Sequence, residues 1–204
     1  VQSGSSLPIF VAAETNFLRA EMALREWTVG GTAQSYYEAG VRLSMEQNGV
    51  AGEDIDAYLA DETLVPAGHL NDPRGAKYNY DRQTDVKIKW NDADGTEKNL
   101  ERIITQKWIA NFPLSTEAWA DYRRTGYPKL FRPKQNLAPS IIDTQLGPRR
   151  LLYNETELSS NTVEVNNAIQ LLKAESSEVK GDGDTGGTRL WWDRKDKGNL
   201  DRKS

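Results

Sequence analysis

The sequence predicts a mainly α-helical protein that is built on a helical hairpin and carries long irregular loops and a few short strands. Two observations support this prediction. Apolar residues between Phe10 and Trp27 recur at intervals of three and four, which places them on one face of a helix. Proline and glycine recur within residues 66–75 and 127–160, and this composition is typical of turns and loops.

The first two helices are expected to pack as an antiparallel pair. Gly30-Gly31 ends the first helix, Thr32 can cap the second, and Gly49 stops it. So short a connection makes neighbouring helices antiparallel, and Gly40 lets them approach closely. The pair has about the size of one tetratricopeptide-type repeat, and the sequence shows no second copy. The apolar stripe of the first helix comprises Phe10, Ala13, Phe17, Ala20, Leu24 and Trp27.

Residues 51–98 have the composition of a loop-rich insertion. Ile55, Tyr58 and Leu59 favour one short helix near its start. The stretch Val86–Trp90 alternates apolar residues with lysines, and this period of two predicts a short strand. A long, turn-rich insertion between helices is more often functional or mobile than structural.

Residues 99–204 combine helices with irregular chain. Leu100, Ile103, Ile104 and Trp108 share one face of a helix, which Pro113 ends. Further short helices are predicted around Ala118–Tyr122 and Val165–Leu172. The helical spacing makes Trp108, Trp119 and Tyr122 candidate core residues.

Composition excludes several classes of protein. The net charge is -4 and the sequence pI is about 5.2, so the chain lacks the basic face that nucleic-acid binding needs. The absence of cysteine excludes disulfides and thiolate metal sites. The chain begins with Val1 and contains no apolar stretch of membrane-spanning length, so any targeting signal is expected upstream.

Five stretches, taken in order, carry a family resemblance. Ala20–Trp27 with Tyr36–Val41 resembles a terminal tetratricopeptide-like helix pair. Ile103–Ala110 and Trp119–Pro128 resemble the helices that follow it. Arg149–Tyr153 and the closing Leu-Trp-Trp-Asp at 190–193 complete the series. After the first of these, this chain has Asn154 at a position where proteins with the same motifs often have proline. Together these stretches are similar to the SusD/RagB family of nutrient-binding outer-membrane lipoproteins.

The resemblance implies a fold and a role. The fold is a tetratricopeptide-like helical hairpin scaffold with long irregular loops and a few short strands. Residues 1–204 would be a single C-terminal portion of such a protein, with a hairpin at 1–50, the insertion at 51–98, and helices with irregular chain at 99–204. The role is non-catalytic capture of an oligosaccharide, another glycan or a peptide at the surface of a Gram-negative outer membrane.

The resemblance also implies partners. Captured nutrient is expected to pass to a SusC-like TonB-dependent barrel transporter. Membrane attachment is expected only through an upstream lipid anchor absent from this chain, and no cofactor is implied.

Aromatic residues of the insertion are the candidate ligand contacts, because sugar rings present apolar C–H faces on which aromatic rings can stack. Tyr78, Tyr80 and Trp90 supply the rings, with Asp72 and Arg74 as polar partners and His69 nearby. The competing interpretation is that these rings only tether a long loop to the helices.

Metal and catalytic sites have little support in the sequence. Asp182, Asp184 and Asp193 partly match the spacing of a calcium loop, but Gly186 replaces a ligand and the usual final Glu is missing. With His69 as the single histidine, neither a two-histidine metal site nor a Ser-His-Asp triad is expected. The alternatives left open are a helical-repeat adaptor for protein partners and an accessory fragment of a glycoside hydrolase.

Overall fold

The computed structural model describes residues 8–193, so the ends of the predicted division, 1–7 and 194–204, lie outside the described residues. The described chain is mainly helical, with very short strands, as predicted. The helices are α1 (Ala12–Leu24), α2 (Ala33–Gln47), α3 (Gly52–Ala60), α4 (Gly95–Ala110), α5 (Ser115–Thr125), α6 (Glu155–Ser160) and α7 (Thr162–Glu175), and the strands are β1 (His69–Leu70) and β2 (Tyr80–Asp81). Single 3-10 turns lie at Ala76–Tyr78 and Asp92–Asp94.

The chain groups into two compact units. The first unit runs to Leu70 and adds Asp81–Tyr122 and Tyr127–Lys129. The second unit comprises Asn71–Tyr80, Arg123–Gly126 and the chain from Leu130 onward. No helix among residues 8–193 combines the length and the apolar character that crossing a membrane requires.

Helices α1 and α2 pack against each other and confirm the predicted hairpin. Thr32 caps α2 by accepting a hydrogen bond from the Ser35 amide at 3.1 Å, while the Ser35 hydroxyl oxygen accepts from the Thr32 amide. Gly40 is buried against Phe17, so that a Cβ built at residue 40 would lie 2.9 Å from the Phe17 ring. The glycine therefore permits the close approach that the sequence predicted. The core of this unit is formed by Ala13, Phe17, Ala20, Tyr37, Val41, Trp90 and Ile103.

The two ends of the predicted α1 stripe are wrong. Phe10 is 60% exposed and Trp27 is 53% exposed, since α1 begins at Ala12 and ends at Leu24. Glu26 adopts a φ of 61°, in the left-handed region, and so turns the chain out of the helix before Trp27 is reached.

Helix α4 buries Leu100, Ile103 and Ile104, as predicted, but not Trp108. Trp108 is 41% exposed because it projects from the edge of the face that these three residues and Lys107 define. Trp119 and Tyr122 are partly buried on α5.

The predicted strand at Val86–Trp90 does not form. The carbonyl of Ile88 accepts a hydrogen bond from the Tyr37 hydroxyl at 2.6 Å, and the carbonyl of Lys87 accepts one from Arg102 Nε at 2.9 Å. The Lys89 amide donates to the backbone carbonyl of Asp61 at 3.3 Å. Side chains and this one backbone bond, instead of a neighbouring strand, thus take up the hydrogen-bonding groups of the segment. The alternation still holds, because Val86 and Trp90 are buried and the two lysines are exposed.

The second unit is held together by buried ion pairs in addition to apolar contacts. Arg149 binds the fully buried Asp193 with two nitrogens, at 2.7 and 2.5 Å, and Arg189 Nη1 reaches the same carboxylate at 2.8 Å. Arg150 donates to Asp184 at 2.5 Å. Each of these carboxylates is neutralised by an arginine, the residue best suited to buried pairing.

Candidate ligand-binding site

The segment Asn71–Tyr80 in the second unit, here called the tyrosine loop, is ordered by its own side chains. The Asp72 amide donates to Asn79 Oδ1 at 2.8 Å, and Asn79 Nδ2 donates to Asn71 Oδ1 at 3.1 Å. These bonds join the two ends of the loop. Asn and Asp side chains commonly take over backbone pairing in turns of this kind.

Asp72 and Arg74 form a bidentate ion pair inside this loop. Arg74 Nε and Nη2 donate to the two carboxylate oxygens, each at 2.9 Å, and the Arg74 amide adds a bond of 2.8 Å. The hydrogen bonds from the Arg74 side chain, and then the one from its amide, lower the pKa of Asp72 to about 2. Both residues were predicted site residues, and the structure brings them together.

Tyr78 lies under two cations of the same loop. The guanidinium carbon of Arg74 is 4.6 Å from the centre of the Tyr78 ring, and Lys77 Nζ is 4.8 Å from it. Cation–π attraction of this kind stabilises exposed contacts by about 0.5–1 kcal/mol. The predicted residues Asp72, Arg74 and Tyr78 are therefore one connected group.

Tyr80 packs on a residue that sequence reasoning missed. Its ring centre lies 5.1 Å from that of Phe131, at an angle of 46°, and Lys134 Nζ lies 5.0 Å from the Tyr80 ring. Phe131 is 40% exposed, so this aromatic pair reaches the surface of the second unit. The available signal was only an aromatic residue in a proline-bounded loop, and nothing in the spacing linked it to Tyr80.

Trp90 is placed in the core of the first unit. It is 7% exposed, its ring centre lies 5.5 Å from that of Tyr37, and its Nε1 donates to Asp92 at 2.7 Å. Most of the Trp90 side chain therefore packs in the core, as the tethering interpretation expects. Its remaining surface lines a cleft of about 530 Å³, here called the charged cleft.

The charged cleft lies wholly within the first unit. Three of its four cations pair with carboxylates. Lys89 bonds Glu62 and Lys98 bonds Asp85, and these hydrogen bonds lower the pKa of both acids. Arg102 Nη2 also forms an ion pair with Asp94. A cleft lined by both donors and acceptors has the chemistry to bond a ligand rich in hydroxyl groups. It is lined by Glu62, Asp85, Lys87, Lys89, Trp90, Asn91, Asp94, Lys98 and Arg102.

Two of the three carboxylates with partial calcium spacing are bound by arginines. Asp193 binds Arg149 and Arg189, and Asp184 binds Arg150. Within residues 8–193, no group of three or more acidic or histidine side chains is arranged to hold a metal ion. His69 Nδ1 lies 2.7 Å from Asp81 Oδ1 at the exposed pair of strands.

Family comparison agrees with the resemblance seen in the sequence. A family model described as SusD-like, Susd and RagB outer membrane lipoprotein, matches residues 1–193. A comparison with curated proteins gives no match.

Solved structures are similar over nearly the whole chain. A SusD homologue from Bacteroides thetaiotaomicron is 44% identical with a TM-score of 0.87, covering 97% of this chain and 40% of that one. A chitin-binding SusD homologue from Flavobacterium johnsoniae is 45% identical with a TM-score of 0.82, covering 92% and 36%. One from Bacteroides ovatus is 43% identical with a TM-score of 0.85, covering 96% and 39%. The chain thus spans about two fifths of the length of these relatives.

Proposed function

This chain belongs to the SusD and RagB family of outer membrane lipoproteins, and from that membership we propose that the full-length protein captures oligosaccharides at the outer face of the outer membrane. Captured saccharide then passes to a SusC-like TonB-dependent barrel transporter, while a lipid anchor upstream of this chain holds the protein to the membrane. The protein binds its cargo without transforming it.

The observation that carries this proposal is the aromatic pair of Tyr80 and Phe131. The two rings lie 5.1 Å apart, and Phe131 is exposed by 40%. Aromatic surface of this kind can stack on the apolar face of a sugar ring. Asp72 and Arg74 of the tyrosine loop supply hydrogen-bonding groups in the same unit. The chitin-binding relative, at 45% identity, supports a carbohydrate as the ligand class.

Trp90 contributes to this proposal in a smaller way. Because it is only 7% exposed, it can offer an edge to the charged cleft but not a stacking face. The hydroxyl groups of a saccharide can bond the paired carboxylates and cations of that cleft.

Binding titrations of the full-length protein against a panel of oligosaccharides test the proposal. We expect Tyr80→Ala and Phe131→Ala each to weaken binding of the saccharide that binds, because each removes stacking area. Phe112→Ala is the control, since Phe112 is an aromatic residue of the first unit that is 84% exposed. Absence of binding to every saccharide, or equal binding by all three variants, would contradict the proposal.

Delivery to a transporter needs its own test. The full-length protein should copurify with a SusC-like barrel from the same organism, and deletion of the binding protein should slow uptake of the captured saccharide. Turnover of the saccharide by the purified protein would instead support a hydrolase fragment.

A further inference from the structure

Two lysines, Lys77 of the tyrosine loop and Lys134, lie over the tyrosine rings of that loop. Lys77 and Lys134 are exposed, and within residues 8–193 neither forms an ion pair. Each ammonium is instead held over a tyrosine ring, 4.8 Å from the centre of Tyr78 and 5.0 Å from the centre of Tyr80. The rings that are candidates for sugar stacking are therefore the ones that position these cations.

The surface around Tyr78 and Tyr80 is positively charged, whereas the chain as a whole is negatively charged. The whole sequence has a net charge of -4. Around Tyr78 and Tyr80 the structure places the cations of Arg74, Lys77 and Lys134. The carboxylate of Asp72 in the same loop is already neutralised by Arg74 through two hydrogen bonds. The next carboxylate along the strand, that of Asp81, bonds His69, and neighbouring side chains of a strand point to opposite faces. Two positive charges thus remain beside the rings.

We propose that this surface takes an anionic saccharide, one that carries carboxylate or sulfate groups, with Lys77 and Lys134 as its counter-charges. The inference rests on the proposed function and specifies its ligand class. A neutral sugar that stacks on Tyr80 must move Lys134 from the ring without replacing the attraction that is lost. An acidic sugar offers the displaced ammonium an anion, so that stacking and ion pairing are satisfied together.

The test compares saccharides that differ only in charge. The probes are trigalacturonate with its methyl ester, and a chondroitin sulfate tetrasaccharide with its desulfated form, titrated into the full-length protein at 50 mM and 500 mM salt. Exposed ion pairs predict tighter binding of the charged member by several-fold to about tenfold at low salt. Screening by salt should narrow that difference.

Matched variants assign the preference to the two lysines. Lys77→Met and Lys134→Met should each reduce the preference for the charged saccharide, and the double variant should abolish that preference. Lys134→Arg should retain it. Lys129→Met is the control, because Lys129 also lies over a tyrosine, 4.4 Å from the Tyr127 ring, in the first unit. Circular dichroism of each variant establishes that it is folded.

The outcomes separate the two proposals. Equal binding of charged and neutral members, or a preference that survives the double variant, overturns the anionic site and leaves saccharide capture standing. The anionic site is likewise overturned, and saccharide capture retained, if a neutral saccharide binds through Tyr80 and Phe131 while both acidic probes fail to bind. Failure of every saccharide to bind overturns the proposed function together with this inference.

Discussion

Lys107 Nζ lies 2.8 Å from Asp121 Oδ2 inside the first unit, where the two side chains are exposed by only 4% and 10%. The same ammonium lies 3.2 Å from Glu14 Oε1, whose side chain is exposed by 4%. Glu14 belongs to α1, Lys107 to α4 and Asp121 to α5, so one buried charge joins three helices. A buried ammonium between two carboxylates is stable only while all three partners are present.

Replacement of Lys107 by methionine should therefore destabilise the protein strongly. The substitution removes the ammonium that the two buried carboxylates share, and breaking a buried pair in this way costs about 3–5 kcal/mol. Urea unfolding at pH 7 measures the change in the free energy of unfolding. The triple variant Glu14→Gln, Lys107→Met, Asp121→Asn should recover most of the loss, because it removes all three charges. A loss below about 1 kcal/mol for Lys107→Met would show that the pair contributes no more than a surface pair.

Gly40 should tolerate no side chain. A Cβ at this position would lie 2.9 Å from the Phe17 ring in the core of the hairpin, so Gly40→Ala forces α1 and α2 apart. Overpacking of this kind costs about 1–3 kcal/mol. Gly52→Ala is the control, since nothing lies within 4 Å of a Cβ there and its φ is not positive. Thermal unfolding should separate the two variants, and an unchanged melting temperature for Gly40→Ala would contradict the packing described.

The hairpin was predictable because its signals are local. Helix periodicity, the Thr32 cap and the small residue at Gly40 all act within one or two turns of chain. Trp108 was misassigned because sequence spacing locates a residue near a helix face without stating where that face ends. Its exposure of 41% depends on which neighbours cover α4.

The candidate site was only partly predictable for the same physical reason. Asp72, Arg74 and Tyr78 are close in sequence, so their connection could be anticipated from a turn-rich loop. The contact of Tyr80 with Phe131 depends on the course of the chain between them, which no local signal specifies. Trp90 was predicted to be a ligand contact of the insertion, because nothing in the predicted strand indicated that its ring packs on Tyr37.

Asp193 should be essential to the stability of the second unit. It is fully buried and accepts three hydrogen bonds from Arg149 and Arg189. Asp193→Asn therefore removes the carboxylate that binds the buried Arg149 and one of the two that bind Arg189, whose Nε also pairs with Glu178 at 2.9 Å. The expected loss in free energy of unfolding is about 3–5 kcal/mol. Asp182→Asn is the control, because Asp182 is exposed and such surface changes stay within about 0.5 kcal/mol.

Calcium should leave the melting temperature unchanged. Two of the three acids with partial calcium spacing, Asp184 and Asp193, are already bound by arginines. A metal would have to displace those arginines from a buried position. A rise in melting temperature with millimolar calcium, absent in Asp182→Asn, would contradict this expectation.

The tyrosine loop should keep its ion pair to unusually low pH. The pKa of Asp72 is lowered from 3.8 to about 2 by the hydrogen bonds from Arg74. A carboxyl group whose pKa is lower in the folded state stabilises that state above its unfolded pKa and loses the contribution as pH falls through its folded pKa. The order of the loop should thus be constant above about pH 4 and should be lost between about pH 4 and 2.

A carboxyl ¹³C titration by NMR measures this directly. Arg74→Gln should move the midpoint of Asp72 back toward 3.8, because it removes the side-chain bonds while the amide bond remains. The same change frees one face of Tyr78, since the Arg74 guanidinium lies 4.6 Å from that ring. Saccharide affinity measured between pH 5 and 8 should not vary through Asp72, which stays ionised throughout. A midpoint near 3.8 in the unmodified protein would show that the bidentate pair does not persist in solution.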